Sequence, residues 1–96
     1  MTDIVALAQK AYRQINQQNT PVQVNWTDLV WFTVDAIETL YVISGRSQIW
    51  SDDKIVCDET GVPSEFADDL GLDEREWIVL KTQIAFYKWV QSSVND

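Results

Sequence analysis

Apolar positions recur at helical spacing in three stretches of this chain and lose any sustained period in the stretch between the second and the third. In the first, Ile4, Leu7, Ala8, Ala11, Tyr12 and Ile15 follow i, i+3, i+4 spacing and form one apolar stripe. Lys10, Arg13, Gln14, Gln17 and Gln18 fall on the other side. Thr2 is the expected N-cap, with Asp3 at the positive end of the helix dipole. Asn19-Thr20-Pro21 ends the helix, because a residue before proline is pushed out of the helical region. An amphipathic helix over about 2–19 is expected, then a short extended piece at Val22-Gln23-Val24-Asn25.

A second helix is expected over about 27–44, with Thr27-Asp28 at its start and Gly45 as the left-handed residue that closes it. Its apolar positions, among them Leu29, Val30, Trp31, Phe32, Val34, Ile37, Leu40 and Tyr41, cover most of the circumference. Asp28, Asp35, Glu38 and Thr39 mark a narrow wet side. A helix this apolar is either central to the fold or shared with a neighbour. Its β-branched content favours a strand, but the stretch is far longer than a usual strand and holds no turn signal.

From Arg46 to Val62 no period persists. Gln48-Ile49-Trp50 and Lys54-Ile55-Val56-Cys57 read as short strands or a hairpin within 46–57. Pro63 suits the first position of a short helix over 63–70, with Gly71 ending it. The last helix, about 74–92, opens on Asp73 and Glu76 at capping-box spacing. Trp77, Leu80, Ile84 and Tyr87 share one face, Ile78, Ala85 and Trp89 a second, and Val79, Phe86 and Val90 a third. Lys81 and Lys88, one heptad apart, define its main polar line. Two readings stand: a core helix enclosed by the other two, or one with a face against a copy of itself.

Charge sharpens this picture. Between Ser51 and Glu76 lie ten acids and only two bases, Lys54 and Arg75, so this segment carries the whole formal net charge of −8. The chain thus reads as two neutral, apolar helical blocks joined by an acidic strap, a pattern that suits docking onto protein surfaces. Ninety-six residues make one domain, 1–96, and a chain this small buries only roughly 60–65% of the surface it exposes when unfolded. Five Trp, three Tyr and three Phe are hard to hide in it, and such side chains are enriched at interfaces. Net acidity argues against binding phosphate backbones directly. No membrane-spanning run or secretory signal is visible. A soluble protein of a reducing compartment is expected.

Candidate chemistry is sparse. The chain has no histidine and a single cysteine, Cys57, which reads as a small buried hydrophobe because neighbouring carboxylates raise a thiol's pKa. No glycine-rich phosphate loop, nucleophile elbow or zinc spacing is present. Asp52/Asp53, Asp58/Glu59 and Asp68/Asp69 are clustered pairs, but the EF-hand ligand order is missing, and a solvated acidic loop is expected rather than a metal site. No catalysis and no cofactor are expected.

Two stretches carry a resemblance. "DAIETLYVISGRSQIW" (Asp35–Trp50) is similar to the helix ending in Gly-Arg of the head–tail connector, or adaptor, proteins of long-tailed bacteriophages and prophages. "DEREWIVLKTQIAFYKWVQSS" (Asp73–Ser93) resembles their late helix, with its acid-led start and aromatic-rich end. The longer C-terminal extension usual in that family has no counterpart in this sequence. The resemblance implies a structural subunit that forms a ring beneath the portal, lines part of the DNA exit channel and contacts portal, neck or tail proteins. It would be found in the virion or, during assembly, in the host cytoplasm.

The reading is therefore a mostly α domain, a small three- to four-helix bundle with an acidic irregular connection, that self-associates and docks. Trp31, Tyr41, Trp77, Tyr87 and Trp89 are the expected interface residues. Asp52, Asp53, Asp58, Glu59, Asp68 and Asp69 are the expected acidic docking or channel surface. The rival is an acidic inhibitor or DNA mimic that occupies a basic groove of a partner.

Overall fold

The computed structural model describes residues 1–17 and 25–95. The protein is mostly helical, with a small antiparallel sheet at one end. In chain order come β1 (Thr2–Asp3), α1 (Ile4–Gln17), α2 (Trp26–Ile43), β2 (Ile55–Cys57), β3 (Pro63–Phe66) and α3 (Leu72–Asn95). Two short 3-10 turns, Ser47–Ile49 and Asp52–Lys54, fill the link between α2 and β2. The three helices pack on one another. The expected helix end at Asn19-Thr20-Pro21 and the extended piece at Val22–Val24 lie outside the described residues.

α1 buries the stripe its spacing defines: Ile4, Leu7, Ala8, Ala11 and Ile15 are all in the core. Tyr12 departs from it, lying exposed with its ring edge-on to Trp26 at 6.3 Å. Thr2 is not the cap. It pairs with Phe66 in the sheet, its hydroxyl accepts from Leu70 N–H at 3.0 Å and donates to the Asp68 carbonyl at 2.8 Å. Asp3 caps instead, its carboxylate accepting from Ala6 N–H at 3.0 Å.

α2 is capped by Asn25, not Thr27. The Asn25 side-chain oxygen accepts from Thr27 N–H at 3.0 Å and Asp28 N–H at 3.4 Å. The helix ends at Gly45 with φ +76, where Arg46 N–H reaches the Tyr41 carbonyl at 2.7 Å and Gly45 N–H reaches that of Val42 at 3.2 Å. This crossed pair of bonds satisfies the last carbonyls and needs a residue at positive φ. Inside the bundle Thr33 and Thr82 are buried, and each hydroxyl donates to the carbonyl one turn back, at 3.0 and 2.7 Å.

The middle of the chain corrects two expectations. Residues 63–70 are not a helix: Pro63–Phe66 is the central strand of a sheet ordered β1-β3-β2. Proline is tolerated there because it is the first residue of the strand. Phe66 is driven into the core, and both strand edges are paired. Nor is Gln48-Ile49-Trp50 a strand. It lies in and after a 3-10 turn, and the partner of β2 is β3, with Ile55 opposite Phe66 and a bulge after Val56. The hairpin loop is built by Asp58, whose carboxylate accepts from Thr60 N–H at 2.8 Å, Thr60 hydroxyl at 2.6 Å and Val62 N–H at 3.1 Å. Gly61 supplies the positive φ of that turn. Cys57 is exposed, contrary to expectation, because β2 is an edge strand whose far end turns out to solvent.

α3 begins two residues early. Glu74 reaches back to accept from Gly71 N–H at 3.2 Å, so Gly71 and Glu74, not Asp73 and Glu76, stand in capping-box positions. Its inner side buries Ile78, Val79, Thr82, Gln83 and Phe86. Each fully buried Ile, Leu or Phe contributes about 1.5–3 kcal/mol of apolar transfer. Among the described residues, no buried side-chain polar atom lacks a hydrogen-bond partner, and no helix is long and apolar enough to cross a membrane.

Candidate interaction surfaces

The expected interface residues separate into two groups. Tyr41 belongs to the interior, at only 2% exposure. Its ring meets Trp50 edge-on at 5.6 Å and Phe66 at 5.5 Å, while Trp50 stacks on Phe66 at 5.8 Å. The Arg46 guanidinium covers the Tyr41 ring at 4.4 Å, a cation–π contact. The Tyr41 hydroxyl donates to Asp68 at 2.6 Å. As an interface residue Tyr41 is therefore excluded, because α2 turns that side toward the sheet. Trp77 and Tyr87 are half-buried, packed against the two parts of the core. Trp31 and Trp89 are exposed, at 44% and 39%.

The acidic strap is also divided. Asp68 accepts from Tyr41 and from Lys54 Nζ at 2.9 and 3.0 Å, and these two donors hold its carboxyl below the usual range, Tyr41 first. In return, burial and then the bond to Asp68 push the Tyr41 phenol up to about 12. Asp58 is lowered by its bond from the Thr60 hydroxyl and then by the turn N–H groups. Glu74 is lowered by Gly71 N–H and then by Arg46, with which it forms an ion pair. Asp69 pairs with the N-terminal amine, whose pKa that bond raises. Asp52 accepts from Trp50 Nε1 at 3.2 Å. Asp53 and Glu59 are exposed to solvent. Among the described residues, no group of three or more carboxylates and thiols is placed to hold a metal ion.

Apolar side chains stay exposed on the two longest helices, as they do at Met1, Tyr12, Ile49 and Val56. The outer side of α3 carries Leu80 and Ile84, at 58% and 47% exposure, and with Trp77 and Lys81 they line a shallow groove of about 350 Å³. The outer side of α2 carries Trp31, Asp35, Glu38 and Val42, all exposed. With Trp50, Asp52, Ile55 and Cys57, the first three of these help line a groove of about 330 Å³. Asp35 stands on this exposed side, yet partial removal from water raises its carboxyl. Sequence periodicity separated the α3 faces but read Asp35 and Glu38 only as a wet side. Val42, counted among the apolar positions of that helix, lies on the same helical line as Trp31 and Asp35.

No family model, curated protein or solved structure matches this chain.

Proposed function

We propose that this protein is a non-catalytic assembly subunit, akin to the head–tail connectors its sequence resembles, that self-associates into a ring and docks onto other virion proteins. The observation that carries the reading is the solvent-facing apolar surface left on α2 and α3, centred on Trp31, Leu80 and Ile84. Contiguous exposed apolar surface rimmed by charge marks protein–protein contact sites. Tyr41, Trp50 and Phe66, by contrast, pack on one another, and Asp68 is held by Tyr41 and Lys54, which supports placing partner contacts on the outer sides of α2 and α3. Its place would be the virion or the host cytoplasm during assembly.

The rival reading, an acidic mimic of DNA, needs carboxylates spaced regularly on a rigid element. Four of the six strap acids singled out instead serve turns, ion pairs and hydrogen bonds inside the molecule.

Replacing Leu80, Ile84 and Trp31 together by serine tests the proposal. Chemical cross-linking of the wild type is expected to give a ladder of multiples that the triple variant loses, while both keep the same far-UV circular dichroism. A ladder unchanged in the variant contradicts the assignment of these residues.

A further inference from the structure

We infer that the outer side of α3 on one copy docks head to tail on the outer side of α2 on the next. This rests on the self-association proposed above and adds which faces meet.

The two sides are opposite in charge. α2 from Trp26 to Ile43 contains Asp28, Asp35 and Glu38 and no Lys or Arg, whereas α3 from Trp77 to Lys88 contains Lys81 and Lys88 and no acid. None of these five forms an ion pair among the described residues, since the pairs present join Arg46 to Glu74, Lys54 to Asp68 and the N-terminal amine to Asp69. Both rows also share one spacing. Trp31, Asp35, Glu38 and Val42 fall at i, i+4, i+7 and i+11, and so do Trp77, Lys81, Ile84 and Lys88. Such a series stays on one side of a helix for three turns.

Laid antiparallel, the rows set Glu38 against Lys81, Trp31 against Lys88 and Val42 against Trp77. These are an ion pair, a cation–π contact and an apolar contact. Asp35 then falls beside Ile84, between the two lysines. The other basic region, Lys10, Arg13 and Arg75, is less suited because Glu76 sits among its residues. Since α2 and α3 already pack on each other and on α1 through their buried sides, one copy cannot bring its own two outer sides together. A contact between unlike faces repeats from copy to copy, and closes into a ring or continues as an open chain.

Two charge-reversal variants test this by sedimentation velocity, with circular dichroism to confirm the fold: Lys81→Glu/Lys88→Glu and Asp35→Lys/Glu38→Lys. Each variant alone is expected to associate about tenfold or more weakly than the wild type. An equimolar mixture is expected to recover association, because each reversed face finds an opposite one. If only the lysine reversal weakens assembly, α3 pairs with its own copy and the inference is overturned. If only the acid reversal does so, a different basic face is used, with the same consequence. A wild type that stays monomeric throughout overturns the self-association reading itself.

Discussion

Two regions of the acidic protein use the same residue types in opposite ways. At the sheet end, tryptophan, tyrosine, arginine, lysine and acid converge: Tyr41, Trp50 and Phe66 pack together, Arg46 covers the Tyr41 ring, and Lys54 and Tyr41 hold Asp68. On the outer sides of α2 and α3, Trp31, Asp35, Glu38, Lys81 and Lys88 stand without such partners among the described residues. The difference teaches that composition alone does not make an interface. An acid or a tryptophan stabilises the monomer where the fold closes around it, and is left for another surface where the fold does not.

The comparison can be broken most strongly at Phe66. Phe66→Ala removes a fully buried ring at the meeting of sheet and helices, and a loss of about 3–5 kcal/mol is expected in chemical unfolding. Asp68→Ala comes next, at about 1–3 kcal/mol, because the partly buried Tyr41 hydroxyl loses its acceptor and Lys54 its partner. Denaturant midpoints for both variants check this order. Trp31→Ser, on the outer side, should change monomer stability by no more than about 0.5 kcal/mol. A large loss there would erase the distinction between the two regions.

Titration sharpens it. The folded Tyr41 phenol is raised from 10.0 to about 12, so the folded state keeps a proton that the unfolded state releases. That contribution is complete below pH 10 and is lost as pH rises through 10 to 12. Tyr41→Phe should abolish this alkaline fall in melting temperature. Asp68, Asp58 and Glu74 are lowered in the fold, so their contribution is present above the ordinary carboxylate range and disappears as pH falls through it, below about pH 4. Asp35 has the opposite sign, since its raised carboxyl favours the fold slightly at acid pH. Thr60→Ala should lower the melting temperature only slightly at neutral pH, because it removes one donor from the exposed Asp58 turn and leaves the backbone donors in place.

The helices were legible because their signals are local. Ile4, Leu7, Ala8, Ala11 and Ile15 repeat within one window, and Gly45 announces the end of α2. The strand at Pro63–Phe66 was not legible, because a proline start and a following glycine fit a short helix equally well. What decides the matter is pairing with Thr2, far away in the chain. Tyr41 was misplaced for a related reason. On a helix apolar nearly all round, spacing cannot say which side meets the sheet, and its partners Phe66 and Asp68 lie beyond the window that reveals periodicity. The division of the acids was hidden likewise, since the Lys54–Asp68 and Arg46–Glu74 contacts join residues 14 and 28 positions apart. Trp31 and Trp89, expected at an interface, are exposed in the fold, and the excess of large side chains per helix turn that drew attention to them is visible without it.

Equilibrium sedimentation of the unmodified chain over a rising concentration series tests the central claim most directly. The account predicts masses that climb from 11.1 kDa to integral multiples, less readily at high salt, where charges on facing helices are screened. A mass that remains that of one chain at every concentration and at low salt would contradict it.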